Sequence, residues 1–304
     1  MYVIAQSYIM NEVISITYSE SGVMLEQTAI ISDIHGNLVA LEAVLADIRQ
    51  RNIKRILCLG DLVGKGPHPA EVIDEVRSTC DAVIQGNWDL GINNPQELLE
   101  GLWLQQHIGN ERLHYLMTLP FYIDFHLSGM KFRMFHASAK SVYHRVTRDA
   151  PISELQAMFA QIDRKQHREH SQHSEPDGLA LYPQRAEHRQ LPDVVGYGDI
   201  HVPYLMSLDT PWADSIVNAS YRGRHILNVG SVGLPYDGIP QSSYVIIEGD
   251  YGSTVTSPYS IQFIRVPYDI DKAIAYARTA QMPDLTRYAT ELRTALNHSQ
   301  SIFP

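Results

Sequence analysis

The stretch TAIISDIHGN at residues 28–37 places an apolar run directly before two polar side chains and a tight turn. The apolar run at residues 28–32 is β-branched, which predicts a strand covered on both faces. Asn37 is a good helix N-cap, and apolar residues at helical spacing follow it. Asp33 and His35 then lie just past the carboxyl end of a strand, where open α/β sheets bind ligands. Taken alone, this pair fits either a metal site or a hydrogen-bonded turn.

The same arrangement of a strand followed by polar residues recurs along the chain. Predicted strands precede these polar side chains: residues 55–59 precede Asp61, 82–84 precede Asn87, 131–135 precede His136, and 194–197 precede Asp199 and His201. With Asp33 and His35 they make seven oxygen or imidazole ligands and no thiolate, a set that suits Mn, Fe, Zn or Co. Such a set exceeds what one tetrahedral ion needs. It suits two ions that share a carboxylate, which is the usual device for hydrolysing phosphate esters.

Composition restricts the class of protein. The chain has 304 residues, 44% of them hydrophobic, and a formal net charge of −10. That charge argues against a non-specific nucleic-acid binder, but not against a phosphate substrate, because bound cations reverse the local field. The two cysteines, Cys58 and Cys80, give no disulfide framework and fit a reducing compartment. With no secretory signal and no apolar run of about 18 residues, we expect a soluble cytoplasmic protein without a membrane partner.

No repeat or linker divides the chain, so we expect a single domain over residues 1–304. Residues 1–27 form an N-terminal extension, either an edge strand or a disordered leader. Residues 139–190 form a helical and loop insert, and residues 267–304 form closing helices. The histidines of the insert, His167, His170 and His173, have metal-like spacing but lie in a polar stretch, which favours a loop.

Further local patterns predict a single helix over residues 95–117 and a hairpin turn at Ser128-Gly129. A second helix is expected over residues 152–162. Residues 204–224 are interpreted as a loop. That loop and the insert are where we expect substrate specificity to arise.

Six motifs together resemble the calcineurin-like metallophosphoesterase superfamily, and most of all its small bacterial and archaeal phosphodiesterase-like branch. They are Asp33-x-His35, Gly60-Asp61-x-x-Gly64, Gly86-Asn87-x-Asp89, His136, Gly198-x-x-His201 and Asn228-x-Gly230-Ser231-Val232-Gly233. The resemblance covers about residues 28–250. It implies a four-layer α-β-β-α sandwich of the α/β class, with two mixed β-sheets packed face to face and helices outside.

The resemblance also implies a role for each ligand. Asp33, His35 and His201 would bind the first metal ion. Asn87 and His136 would bind the second, and Asp61 would bridge the two. Elementary chemistry agrees with the bridging role, because a carboxylate can offer one oxygen to each ion.

Two positions depart from the family pattern. Trp88 stands where the family often has a histidine near the leaving group, and an indole N–H cannot serve as a general acid. This puts in question the hydrolysis of esters with poor leaving groups, while activated esters would suffer less. Asp199 replaces a common histidine. It can still bind metal, and it makes the site more anionic, which favours Mn or Fe, with Zn, Co or Mg as further possibilities.

Other side chains near the motifs have two interpretations each. Lys65 and His68 would contact the substrate phosphate or replace the missing acid, or else belong to a solvated turn. Tyr236 and Asp237 would border the substrate pocket, or else belong to another solvated turn. Trp88 would pack over the site or stack on a substrate base.

We therefore predict a metal-dependent phosphoesterase that acts on small phosphodiester or nucleotide-like substrates through a hydroxide activated by two divalent ions. The predicted catalytic residues are Asp61, Asn87, Asp89, Lys65 and His68. The predicted substrate-binding residues are Trp88, Lys65 and Tyr236. The alternatives are a protein or dinucleoside-polyphosphate phosphatase of the same superfamily, or a non-catalytic metal-binding sensor or interaction module.

Overall fold

The computed structural model describes residues 25–162, 191–208 and 223–298. The strands are β1 Glu26–Ile31, β2 Arg55–Cys58, β3 Ala82–Val83, β4 Tyr122–Leu127, β5 Met130–Phe135, β6 Val194–Tyr197, β7 Tyr204–Leu208, β8 Arg224–Asn228, β9 Ser242–Gly249 and β10 Ser260–Val266. The helices are α1 Leu38–Gln50, α2 Pro69–Thr79, α3 Asn87–Gly91, α4 Leu99–Ile108, α5 Asn110–Thr118, α6 Ile152–Ala157, α7 Ile270–Thr279 and α8 Leu285–Thr294. The predictions for residues 1–24 and for His167, His170 and His173 lie outside the described residues.

The described strands form two five-stranded mixed sheets. The first has the order β10-β9-β1-β2-β3, and the second has the order β4-β5-β6-β8-β7. In the first sheet β1, β2 and β3 are parallel, and in the second β5, β6 and β8 are parallel. The parallel strands thus lie inside each sheet, except for the short edge strand β3. Their carboxyl ends carry the polar segments that the sequence singled out.

Alternation along β1 shows how the sheets pack. Ala29 and Ile31 lie in the apolar cluster beneath the helices α1 and α2, whereas Ile30 lies in the cluster shared with Phe132 and Met134 of the second sheet. Successive side chains of a strand point to opposite faces, so each strand of the first sheet contributes to both layers. The predicted arrangement of two packed sheets with helices outside is confirmed.

Local signals placed several element boundaries correctly. The side chain of Asn37 accepts a hydrogen bond from the Ala40 amide at 3.2 Å and so caps α1, and Pro69 is the first residue of α2. Ser128 and Gly129, both with positive φ, turn β4 into β5.

The helix predicted over residues 95–117 is instead two helices. Gly109, with φ of 78°, ends α4 and begins α5, because glycine adopts this backbone conformation without steric cost. The predicted loop over residues 204–224 begins with a strand. Tyr204–Leu208 forms β7, which pairs antiparallel with β8 at the edge of the second sheet. The helix expected over residues 152–162 ends earlier, at Ala157.

The closing helices α7 and α8 form a separate apolar cluster beside the first sheet. Ile274 of α7 and Leu292 of α8 pack with Val39 of α1 and with Leu234, which follows β8. This packing brings α8 to the edge where the polar segments converge. Among the described helices, none has the length and apolar character needed to cross a bilayer.

Candidate metal centre

The polar segments adopt an unusual backbone conformation at the carboxyl edge of both sheets. Asp33, His35, Asp61, Asp199 and His201 all have φ between 50° and 61°. This left-handed region is uncommon for residues other than glycine, although Asp and His enter it more readily than most. Such conformations cluster at functional sites, where the surrounding structure must impose them.

Backbone hydrogen bonds impose this conformation on the first two segments. The Asp33 amide donates to the Gly60 carbonyl at 3.0 Å, and the His35 amide donates to the Asp61 carbonyl at 2.9 Å. The segment after β1 is thereby fastened to the segment after β2. The side chains of Asp33, His35 and Asp61 are almost completely buried.

Each of three histidines is oriented by a backbone carbonyl. The Nδ1 atom of His35 lies 3.0 Å from the Val63 carbonyl oxygen. The Nδ1 atom of His136 lies 2.8 Å from the Leu59 carbonyl oxygen. The Nδ1 atom of His201 is hydrogen-bonded to the Leu234 carbonyl oxygen. Because a carbonyl can only accept, Nδ1 carries the proton in all three rings. In the neutral rings the Nε2 lone pairs are then free, as in metal-binding histidines.

The three Nε2 atoms converge on two carboxylates. The Nε2 of His201 lies 3.2 Å from Asp33 Oδ1. Asp61 Oδ2 lies 3.6 Å from the Nε2 of His35 and 3.4 Å from that of His136. Two overlapping groups result, Asp33 with His35 and His201, and Asp33 with Asp61 and His136. Asp33 belongs to both groups, and Asp61 of the second group also lies within 3.6 Å of His35 of the first.

Asn87 joins the second group. Its Oδ1 lies 2.9 Å from the Nε2 of His136, and it is the first residue of the short helix α3. The next amide, that of Trp88, donates to Asp61 Oδ1 at 2.9 Å. That contact leaves Asp61 Oδ2 directed toward the histidines.

Burial and neighbouring charges set the protonation states. Burial opposes ionisation of Asp33, but the interactions with His201 and His136 outweigh burial and hold the pKa of the Asp33 carboxyl well below the usual range. Burial and the positive charge of Lys65 lower the pKa of His35 well below its usual value. Ionised carboxylate and neutral imidazole are the forms that bind a cation.

His136 behaves differently from His35. Burial disfavours its charged form, yet the carboxylates of Asp61, Asp33 and Asp199 raise its pKa well above the usual value. The carboxylates therefore place excess negative charge around the His136 ring. A cation bound at this position would neutralise that charge.

The donor set fits divalent cations. The Nε2 atoms of His35 and His201 face each other at 3.1 Å, and with Nδ1 of both rings bonded to a carbonyl, either a proton or a cation must lie between them. Asp33 Oδ1 is buried without a hydrogen-bond donor among the described residues. Within each group all ligand atoms lie within 4.8 Å of one another. Metal–ligand bonds of about 2.0–2.2 Å place neighbouring ligand atoms roughly 3–4.4 Å apart.

Asp89 supports the backbone beneath this cluster. Its carboxylate accepts hydrogen bonds from the amides of Asp61, Leu62 and Gly86 at 2.8–2.9 Å. Burial and the nearby Asp61 carboxylate raise the pKa of Asp89 to about 7. Asp89 was predicted to be catalytic. In the structure its carboxylate holds the segments after β2 and β3 together.

Lys65 and Tyr236, both expected near the substrate, lie side by side. Lys65 Nζ donates to the Tyr236 hydroxyl at 3.0 Å, and the Tyr236 ring stacks on His201 with centroids 4.5 Å apart. Burial lowers the pKa of Lys65. Asp237 instead forms an ion pair with Arg265.

Trp88 and His68 differ in their distance from the cluster. The Trp88 ring meets His35 edge to face, with centroids 6.0 Å apart, and its face covers Gly64. These contacts are those of a packing residue. His68 precedes α2, and its ring meets Tyr276 of α7 at 5.0 Å, so it contacts the closing helices.

Asp199 was predicted as a metal ligand, but its carboxylate has another partner. Arg145 Nε and Nη2 donate to the two Asp199 oxygens at 3.0 and 2.9 Å, and the Asp199 amide donates to Asp33 Oδ2 at 3.1 Å. The Asp199 side chain is 4% exposed and that of Arg145 is 55% exposed. The arginine therefore lies at the mouth of the site.

Sequence reasoning missed two residues here. Arg145 lies within the polar insert, and Glu291 lies in α8, where its carboxylate accepts a hydrogen bond from the Tyr236 hydroxyl at 2.9 Å. Neither residue belongs to a motif. The available signal for Glu291 was a carboxylate on the apolar face of an amphipathic helix, between Tyr288 and Leu292.

Comparisons with known proteins agree with this geometry. The model of the calcineurin-like phosphoesterase superfamily domain matches residues 27–251, which contain all six motifs. An uncharacterised protein of Methanocaldococcus jannaschii is 30% identical over 272 residues, covering 84% of this chain and 93% of its own. A metallophosphoesterase from Sphaerobacter thermophilus is 25% identical, with a TM-score of 0.63 over 89% of this chain and 99% of its own. A hypothetical protein from Pyrococcus horikoshii OT3 shares the fold, with a TM-score of 0.61 and 17% identity over 90% of this chain and 98% of its own.

Proposed function

This chain belongs to the calcineurin-like phosphoesterase superfamily, and on that premise we propose that it hydrolyses small phosphate esters with two bound divalent cations. Phosphodiesters and nucleotide-like esters are the substrates we expect. Trp88 leaves the usual acid position without a proton donor, so esters with good leaving groups would react most readily.

One observation carries the proposal, namely the two overlapping groups of ligand atoms. Three histidines turn Nε2 inward onto the carboxylates of Asp33 and Asp61. An arrangement that served only folding would satisfy these atoms with donors. Here the Nε2 atoms of His35 and His201 face each other instead. Because Nδ1 of both rings donates to a carbonyl, this contact costs free energy unless a proton or a cation lies between the two Nε2 atoms, and a divalent cation would meet that need.

The cations would be divided between the two groups. One would be held by Asp33, His35 and His201, and the other by Asp61, Asn87 and His136, with the Asp33 and Asp61 carboxylates close to the ligands of both groups. Bound there, the pair would lower the pKa of a water molecule and neutralise charge on the phosphoryl oxygens.

Two cationic side chains would act on the substrate. Arg145 keeps N–H groups beyond those bonded to Asp199, and these would donate to the phosphoryl oxygens. Lys65 would supply the proton that Trp88 cannot. As the bond between phosphorus and the leaving oxygen breaks, one Nζ proton passes to that oxygen, and the resulting amine regains a proton from solvent.

The test uses metal-stripped protein resupplied separately with Mn, Fe, Zn, Co and Mg. Hydrolysis of an aryl phosphodiester and of an aryl phosphomonoester is measured for the wild type and for Asp61→Asn. The control is Asp271→Asn, which removes an exposed carboxylate of α7. We expect turnover that depends on added metal, persists in Asp271→Asn and falls by about 10³-fold or more in Asp61→Asn.

The contrary result is equally clear. Stoichiometric metal binding without turnover of either ester, whatever the metal, would indicate a metal-binding sensor or interaction module. Turnover that Asp61→Asn leaves intact would remove the proposed centre from the reaction.

A further inference from the structure

Glu291 lies outside the part of the chain that matches the superfamily domain. The match ends at residue 251, whereas Glu291 belongs to α8, which packs through Leu292 and Tyr288 into the apolar cluster beside the first sheet. The Glu291 side chain faces the candidate centre from this helix. The closing helices therefore contribute a charged group to the site as well as apolar surface.

Glu291 is buried and fully engaged. It is 2% exposed, and a buried carboxylate requires hydrogen-bond donors to offset its lost hydration. Oε2 accepts from the Tyr236 hydroxyl at 2.9 Å, and Oε1 accepts from the His298 amide at 3.1 Å. The second bond ties the carboxylate to the segment that follows α8, which fixes its position.

The direction of the hydrogen bonds through Tyr236 is determined by chemistry. The hydroxyl has one proton, and it donates this proton to Glu291, because a carboxylate only accepts. The lone pairs of the hydroxyl therefore remain for Lys65, whose ammonium only donates, at 3.0 Å. Glu291, Tyr236 and Lys65 thus form one chain of hydrogen bonds with a single polarity.

This chain of hydrogen bonds ends beside the candidate centre. Lys65 Nζ lies 5.9 Å from the Trp88 ring centroid and 5.1 Å from that of Tyr236. The first of these rings meets His35 and the second stacks on His201. The ammonium is therefore held between two aromatic rings that each contact a candidate metal-binding histidine. A flexible lysine needs such restraint to deliver a proton at one defined position.

We propose that Glu291 is a positioning residue that acts through Tyr236 to hold the Lys65 ammonium at the leaving oxygen of the substrate. This rests on the proposed phosphoesterase function. Its consequence is that the closing helices determine which leaving groups the enzyme can release.

The experiment compares two esters of the same phosphoryl group. A p-nitrophenyl ester has a leaving oxygen that departs without a proton, whereas an alkyl ester has one that requires it. Glu291→Gln keeps the shape of the side chain and removes its charge. Tyr236→Phe removes only the hydroxyl and keeps the ring on His201. The control is Arg293→Gln, on the exposed face of the same helix, where Arg293 pairs with Asp271.

For Glu291→Gln and Tyr236→Phe we expect kcat for the alkyl ester to fall by about tenfold or more, a part of the 10²–10⁴-fold that general acid catalysis supplies. For the p-nitrophenyl ester kcat should fall by a much smaller factor than for the alkyl ester in both variants, and by less than about twofold in Glu291→Gln. The amount of metal bound per chain should equal that of the wild type, and Arg293→Gln should alter neither ester.

Two results would overturn the inference. If both variants lowered kcat for the two esters by the same factor, or lost bound metal, Glu291 would have a structural role only, and the phosphoesterase function would stand. If the wild type failed to hydrolyse even the p-nitrophenyl ester with any metal, the proposed function itself would fall, and this inference with it.

Discussion

The candidate centre and its rim are built in different ways. We define the centre by its six inward-facing side chains, Asp33, His35, Asp61, Asn87, His136 and His201, and the rim by Lys65, Arg145, Asp199, Tyr236 and Glu291. Backbone groups orient the centre, since its three histidines each bond to a carbonyl. Side chains orient the rim, since Lys65, Tyr236 and Glu291 hold one another. The centre is thus as rigid as the fold, and the rim depends on how distant segments dock.

Within the rim, the two cations differ in their partners. Arg145 pairs with the Asp199 carboxylate, and this hydrogen bond raises the pKa of the guanidinium. Lys65 bonds to a neutral phenol, and burial lowers its pKa. Arginine therefore remains a fixed charge, while lysine is suited to release a proton. This difference supports the proposal that Arg145 binds the substrate and that Lys65 transfers a proton.

The largest expected effect comes from removing the side chain that supports the backbone of the centre. Asp89→Ala leaves three buried amides without an acceptor, at about 1–3 kcal/mol each. We expect the free energy of unfolding to fall by roughly 3 kcal/mol or more, with loss of bound metal. Urea denaturation and metal analysis measure both.

The matched variant for that experiment is Asp81→Ala. The Asp81 side chain accepts from one backbone amide, that of Ile56, so we expect a cost of about 1 kcal/mol and unchanged metal content. Equal losses in the two variants would mean that Asp89 has no special role in supporting the centre.

A second pair of variants tests the contact between Trp88 and the segment that carries Lys65. Gly64 and Gly252 have φ of 90° and 82°, so alanine at either position incurs about 1–2 kcal/mol of backbone strain. A Cβ at Gly64 would overlap the Trp88 ring, whereas a Cβ at Gly252 would meet no atom within 4 Å. We expect Gly64→Ala to lower Tm further and to reduce kcat. Equal Tm values for Gly64→Ala and Gly252→Ala, with kcat unchanged, would show that the Trp88 ring moves aside at little cost in free energy.

The smallest expected effect concerns the fixed cation of the rim. Arg145→Lys keeps the charge but loses the planar fork that bonds Asp199 and leaves donors for substrate. We expect KM for a phosphate ester to rise about tenfold, or roughly 1.4 kcal/mol, with bound metal and unfolding free energy little changed. Arg112→Lys alters a similar two-bond pair with Asp74 on the surface and should leave KM unchanged. A normal KM in Arg145→Lys would exclude Arg145 from substrate binding.

The fold was predictable where the signals are local. The strand β1, the cap at Asn37 and the start of α2 at Pro69 follow from residues within a few positions of each boundary. The division between α4 and α5 was missed because the apolar pattern continues across Gly109. The edge strand β7 was missed because its pairing partner β8 begins 16 residues after β7 ends, at Arg224 after Leu208.

The candidate site also contains one part that local signals predicted and one part that they did not. Each side chain of the centre follows directly after a strand or its turn, so its position could be predicted once the strands were found. Asp199 has the same local signal, yet its carboxylate bonds to Arg145, 54 residues away. The pairing of these two side chains depends on the course of the insert, which local patterns do not encode.

The sequence by itself determined the strands and the polar donors at their carboxyl ends, because strand periodicity and turn chemistry act over a few residues. The sandwich of two sheets was implied by the resemblance that the motifs carry. Only the tertiary structure decided the rim. Lys65 and Tyr236 are 171 residues apart, and Tyr236 and Glu291 are 55 apart. These groups meet because α8 buries its apolar face beside the first sheet, and that burial is non-directional. The contacts between their polar atoms are therefore fixed by the packing of whole helices and not by any local pattern.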